Sequence, residues 1–302
     1  MSLDGQAKIL HGIARWGLDH TGWKLDTSWF PNDHAANGDR VPEPGLGMST
    51  FAERSFCMFS RYSVVAWFLL VLAVANPLYA QGTSAAKPIV LRYDFHKGPQ
   101  GWIPGFAEYS LDSLESYQLK ANIARLPKEV HAKNRGYRIQ GMNRSDDLFM
   151  YLSRQIGREV GLVPNQKYEL KYDVKFASDA PSGGFGIGGS PGESVFLKVG
   201  AFPWRPKAYL GSGAYARYFL FNVDKGNQSN SGYYMSVAGD VTNGRDADLP
   251  NQFVSIHRSH THTELISTTN KSRLWLLVGT DSGYEGFTRL YYQEIRVTLT
   301  PK

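Results

Sequence analysis

The clearest pattern in the chain is a strict alternation across residues 168–176. Tyr168, Leu170, Tyr172, Val174 and Phe176 fall on one side, with Glu169, Lys171, Asp173 and Lys175 on the other. A period of two marks a strand with one buried face. Ile89, Leu91, Tyr93 and Phe95 repeat it near the start of this region, and Tyr291, Ile295, Val297 and Leu299 repeat it at the end, opposite Glu294 and Arg296. Residues 148–152, 195–199, 215–223, 233–238, 253–257 and 274–278 are further strand candidates, separated by Gly, Pro, Asn and Asp turn chemistry. Only 112–120 offers a short helical alternative. This succession of strands predicts an all-β sandwich over residues 89–302.

A different pattern precedes it. Arg61 is followed by an unbroken apolar stretch from Val64 to Ala75 and then Asn-Pro-Leu-Tyr-Ala80. A positive start, an apolar centre and a small-residue end is the order of a secretory signal peptide, assigned here to 58–80 with cleavage after Ala80. The rival reading is a membrane anchor, because no charge falls between Arg61 and Lys87. Residues 1–57 are polar, without a sustained period, and read as a poorly structured leader; translation is expected to begin at Met48 or Met58. Residues 81–88 read as a linker. The expected location is therefore secreted or periplasmic, with membrane contact only if the export segment is retained.

Charge and cysteine content narrow the chemistry. Residues 81–302 carry 27 Lys and Arg against 20 Asp and Glu, but the basic residues do not cluster with aromatics, so no nucleic-acid partner is expected. The single cysteine, Cys57, lies before the export segment. The exported part thus has no thiol for disulfide, metal or nucleophile chemistry.

Three segments carry a family resemblance. Tyr93-Asp-Phe-His-Lys-Gly-Pro-Gln-Gly-Trp102, Leu162-Val-Pro-Asn-Gln-Lys-Tyr168 and Leu290-Tyr-Tyr-Gln-Glu-Ile-Arg-Val297 resemble, in order, the opening strand and turn, the middle turn and the closing strand of galactose-binding-like jelly-roll sandwiches, carbohydrate-binding modules above all. The resemblance implies an antiparallel jelly-roll β-sandwich, a structural calcium between the first and last strands with Asp94 and Glu294 as ligands, and a glycan held on aromatic side chains. Gln293-Glu294 stands where the family usually has two aspartates, which places the metal in question.

Motifs with catalytic spelling sit in the wrong contexts. Gly188-Gly-Ser190-Pro-Gly192 lacks the following helix of a nucleophile elbow and reads as a tight loop, with Glu193 beside it as a candidate ligand-binding carboxylate. Asp281-Ser-Gly283 occurs once, where a shared-proton aspartate pair needs two copies. His257, His260 and His262 are read as a polar turn rather than a zinc site. Loops around Asp146-Asp147, Asp224, Asp240 to Asp248 and Asp281 to Glu285 are rich in Asp and Asn, a composition that can offer oxygens to a hard cation such as calcium, but none has EF-hand spacing and ordinary turns are equally rich in these residues.

Sugar rings stack on flat aromatic faces while planar polar groups pair with hydroxyls. The expected ligand-binding residues are accordingly Trp204, Tyr233, Tyr234, Trp275 and Tyr284, with Glu193 and Asp281; Trp102 is read as packing. The expected function is an exported, non-catalytic module binding carbohydrate or a cell-envelope polymer. The alternative is a polysaccharide-acting hydrolase or lyase using Glu193, Asp224, Asp281 or Glu285.

Overall fold

The computed structural model describes residues 17–19, 22–24, 87–131 and 133–302. The export segment 58–80, its cleavage site, Cys57 and most of the leader lie outside the described residues. In the leader, β1 (Gly17–Asp19) and β2 (Gly22–Lys24) pair as a short antiparallel hairpin.

The main unit is nearly all strand. In order these are β3 (Ile89–Asp94), β4 (Ile103–Ala107), β5 (Tyr109–Ser110), β6 (Lys120–Arg125), β7 (Arg135–Met142), β8 (Leu148–Ile156), β9 (Lys167–Ser178), β10 (Val195–Phe202), β11 (Ala208–Leu210), β12 (Tyr218–Phe221), β13 (Met235–Asp240), β14 (Val254–Thr261), β15 (Ile266–Ser267), β16 (Leu274–Ser282) and β17 (Phe287–Pro301). A single helical turn, α1 (Lys128–His131), joins β6 to β7. Among the described residues no helix is long and apolar enough to cross a membrane.

One sheet runs β14-β9-β17-β7-β6, with β3 and β15 added, and the facing sheet runs β13-β10-β16-β8-β4. Strands 7, 8, 9 and 10 alternate between the sheets, as do 13, 14, 16 and 17, except that 10 and 13 are neighbours. That arrangement is the jelly-roll order the resemblance implied. The five inward residues of β9 are all buried, as their alternation predicts. They meet Leu148, Met150, Leu152, Leu197, Val199, Leu276 and Val278 from the other sheet in one core. Trp102 is buried in it, edge-on to Tyr93 at 5.4 Å.

The five-stranded sheet is covered on its second face too. Phe149, Tyr151, Phe202, Met235 and Leu277 form a separate cluster with Phe221 and Val223, beneath the small sheet β11-β12-β5. Double burial explains why β8 and β16 are apolar without alternation.

Several elements differ from expectation. The strand read over 215–223 is only Tyr218–Phe221, preceded by a 3-10 turn at Gly213–Tyr215, and 233–238 becomes Met235–Asp240 because Tyr233 and Tyr234 still belong to the loop. The weak helix at 112–120 is a 3-10 turn at Leu114–Tyr117. Of the histidines expected in a turn, His257 and His260 lie within β14 and His262 directly follows it, and His260 Nε2 and His262 Nδ1 converge on Ser236 Oγ at 2.8 and 2.9 Å. Burial lowers the pKa of His262 to about 4. β7 escaped notice because a glycine stands on each of its faces; a Cβ on Gly141 would lie 2.8 Å from Leu148 Cδ2 in the core, and one on Gly136 would lie 2.7 Å from Leu126 Cδ2 on the other face.

Candidate functional site

The outer face of β10 and β16 carries two different chemistries at its two ends. Register pairs Phe202 with Trp275 at one end and Phe196 with Asp281 at the other.

At the first end the strands leave rings in contact. Phe202 is edge-on to Trp204 at 5.3 Å and to Tyr234 at 4.8 Å, and Tyr234 is edge-on to Tyr233 at 4.9 Å. Trp204 is 60% exposed and Tyr233 50%, while Trp275 is half-buried beside Phe202. Glycine permits this arrangement: a Cβ on Gly200 would lie 2.0 Å from the Tyr234 carbonyl, which accepts the Ala201 N–H instead. Asp224 braces the loop, its Oδ1 accepting from the Gly226 N–H and its Oδ2 from the Tyr233 N–H. Four of the expected ligand-binding residues are thus gathered near Phe202, which lies beyond the strand expected at 195–199 and ends β10.

At the second end is a cluster of five ionisable groups. Lys198 and Asp281 are wholly buried, with Nζ 2.8 Å from Oδ2. Lys225 Nζ reaches the same oxygen at 2.7 Å, Glu108 Oε2 at 2.7 Å and Asp147 Oδ1 at 3.6 Å. Lys198 also donates to the Lys225 and Asn230 carbonyls. The Gln228 N–H donates to Asp281 Oδ2, while Asn143 Nδ2 donates to the Ser282 and Tyr284 carbonyls. The cluster therefore fastens the 143–147, 222–231 and 281–286 loops to one another. Glu108, Lys198 and Lys225 were not singled out from the sequence; an isolated lysine inside the apolar run of β10 was the one available signal.

Burial sets the electrostatics. It pushes Glu108 up to about 7 and Asp147 up to about 6, the Lys225 ammonium opposing the rise and neighbouring carboxylates adding to it. Burial alone would lower Lys225, but its three carboxylate neighbours outweigh that and raise it. Lys198 is lowered by burial, against the pull of Asp281. Three carboxylates around two ammoniums leave one surplus negative charge, so a proton is retained on the acids near neutrality. Glu108, Asp147 and Asp281 each offer one oxygen within 4.8 Å of the others, a spacing that could hold a metal ion. The Lys225 ammonium already stands among them as the cation.

The remaining expected residues are dispersed. Asp94 and Glu294 do face each other across β3 and β17. However, Arg92 holds both oxygens of Glu294, at 2.8 and 2.7 Å, and Asp94 Oδ1 accepts the His96 N–H. A calcium ion there would have to displace that guanidinium. Glu193 closes the glycine-rich loop on which it sits, accepting from Ser190 Oγ and the Gly183 N–H. Glu285 is exposed, its N–H donating to the Ile187 carbonyl. Tyr284 lines a separate cleft beside β9 and β17.

No family model matches the chain, and no curated protein matches it. Among solved structures it is similar to carbohydrate-binding-module β-sandwiches. TmCBM61 in complex with β-1,4-galactotriose has 8% identity and a TM-score of 0.31 over 68% of this chain and 92% of that one. The mannan-recognising module TmCBM27 has 12% identity and a TM-score of 0.31 over 70% and 98%. A xylan-binding CBM22 domain has 10% identity and a TM-score of 0.27 over 73% and 96%. At such identities and scores, any functional reading has to come from this chain's own side chains.

Proposed function

We propose that this protein is an exported, non-catalytic module that binds carbohydrate through the aromatic edge formed by Trp204, Phe202, Tyr234 and Tyr233, with Trp275 beside it. The observation that carries this reading is the contiguous ladder of rings, two of them half-exposed or more and held in place by edge-to-face contacts. Exposed rings with fixed orientation provide a stacking surface at low entropic cost. In affinity electrophoresis and calorimetry of the full chain against a panel including galactan, mannan and xylan, Trp204→Ala and Tyr233→Ala are each expected to weaken binding about tenfold, close to 1.4 kcal/mol. Failure of folded wild-type protein to bind any polysaccharide would overturn the proposal.

The second reading, a polysaccharide hydrolase or lyase, draws on the convergence of Asp281 with Glu108 and Asp147. Glycosidases use two such carboxyl groups in distinct protonation states. Lys225, placed among the three, argues for an internal structural role instead. Release of reducing ends or unsaturated products from a polysaccharide, abolished by Asp147→Asn in a folded variant, would reverse that preference.

A further inference from the structure

A cleft of about 520 Å³ opens between the end of β9, the glycine-rich loop, the 247–251 loop and the start of β17. Its volume is within the range of small-molecule sites, roughly 300–1,000 Å³. Phe185, Tyr284 and Phe287 contribute rings to its wall; Phe185 is fully exposed and Phe287 37% exposed. Its polar lining includes Asp179, Asn251, Thr288 and Arg289.

The Arg289 guanidinium lies over the Phe253 and Phe287 rings, 5.2 and 5.8 Å from their centroids, and its NH2 is 3.7 Å from Asp179 Oδ2. That separation is too long for a direct hydrogen bond. Two polar atoms in this lining, Arg289 Nε and Thr288 Oγ1, are buried with no hydrogen-bond partner. Buried donors without partners are rare in folded proteins and call for an explanation. Burial also raises the Asp179 pKa despite the arginine beside it.

We infer that this cleft is a second saccharide site, holding one sugar unit with a ring face against Phe185, Tyr284 or Phe287 and adjacent hydroxyls on Asp179 and Arg289. The chemistry favours a neutral polyol over an anion. Arg289 and Asp179 offset each other's charge, and together they present a donor fork beside an acceptor. Tyr284 is fixed from behind, because its carbonyl accepts from Asn143 and its N–H donates to the Ser194 carbonyl. The cleft adjoins the Ser282 end of β16 and the aromatic edge adjoins the Trp275 end. Seven residues of strand, about 23 Å, separate those two ends of β16.

The inference deepens the carbohydrate-binding reading and stands or falls separately from the aromatic edge. Isothermal titration of the full chain with neutral di- and trisaccharides, too short to span both sites, is expected to show two sites per chain. Binding in the Trp204→Ala/Tyr233→Ala variant is expected to fall to one site, which Phe185→Ala and Asp179→Asn each weaken at least tenfold. Phe185 is fully exposed, so its replacement leaves the fold intact. One site in wild type, lost with Trp204 and Tyr233 and indifferent to Phe185 and Asp179, would overturn the cleft alone. Binding unchanged by the double variant but lost with Phe185 would overturn the aromatic edge alone. No binding of any saccharide would overturn both.

Discussion

Replacing Asp281 with alanine is expected to destabilise the sandwich by about 3–5 kcal/mol, the usual result of removing one partner from a buried ion pair. Two ammoniums share its Oδ2, and one of them, on Lys198, is fully enclosed. Without the carboxylate, Lys198 keeps its hydrogen bonds to the Lys225 and Asn230 carbonyls but has no counter-charge of its own. Urea denaturation followed by tryptophan fluorescence measures the loss, and a change below about 1 kcal/mol would show the cluster to be energetically idle. Replacing both members together, as Lys198→Met with Asp281→Leu, is expected to restore much of the stability, since Lys225 retains Glu108 and Asp147 and apolar residues suit the enclosed position.

The second large effect depends on pH. Glu108 and Asp147 sit at about 7 and about 6 in the folded protein, against ordinary values of 4.5 and 3.8. Between those limits the folded state binds more protons than the unfolded chain, so their contribution to stability falls as pH rises through that window. His262, lowered to about 4, acts in the opposite sense, because its unfolded form binds protons from about 6.5 downward and its contribution is lost as pH falls toward 4. The wild-type profile between pH 5 and 7 is therefore expected to be shallow. Glu108→Gln removes one falling component and leaves the rising one. Relative to wild type, the variant is expected to gain roughly 2 kcal/mol on going from pH 5 to pH 8. Melting curves across that range test it, and parallel profiles would exclude a proton held on Glu108.

Much of the sandwich was legible because burial on one face imposes a readable period. β9 is the clearest instance, and β3 and β17 pair as the first and last strands, with Asp94 opposite Glu294. Gln293, the departure from the family pattern, lies at a register shift between β17 and β9, where β17 passes from pairing with β7 to pairing with β3. The aromatic edge was partly legible, since Trp204, Tyr233, Tyr234 and Trp275 have rings to offer wherever they fall. Their grouping depends on a close backbone approach at Gly200, which composition does not reveal.

The charged cluster was not legible for a different reason. Glu108 follows β4 in a left-handed conformation, Lys198 is mid-strand, Asp147 and Lys225 are in loops, and Asp281 is near the end of β16. No local period links such positions. Only the sheet order brings them together, and apart from Lys198, set in the apolar run of β10, each read singly resembles an ordinary turn or surface residue.

Lys225 gives that cluster a property that no dissolved ion could supply. A bound metal stabilises a fold by mass action, so its contribution tracks the free ion outside and fades in dilute surroundings. The ammonium among Glu108, Asp147 and Asp281 is attached to the chain itself. Its occupancy is set by folding and by protonation, leaving the loops it joins indifferent to the ionic supply of whatever medium the protein enters.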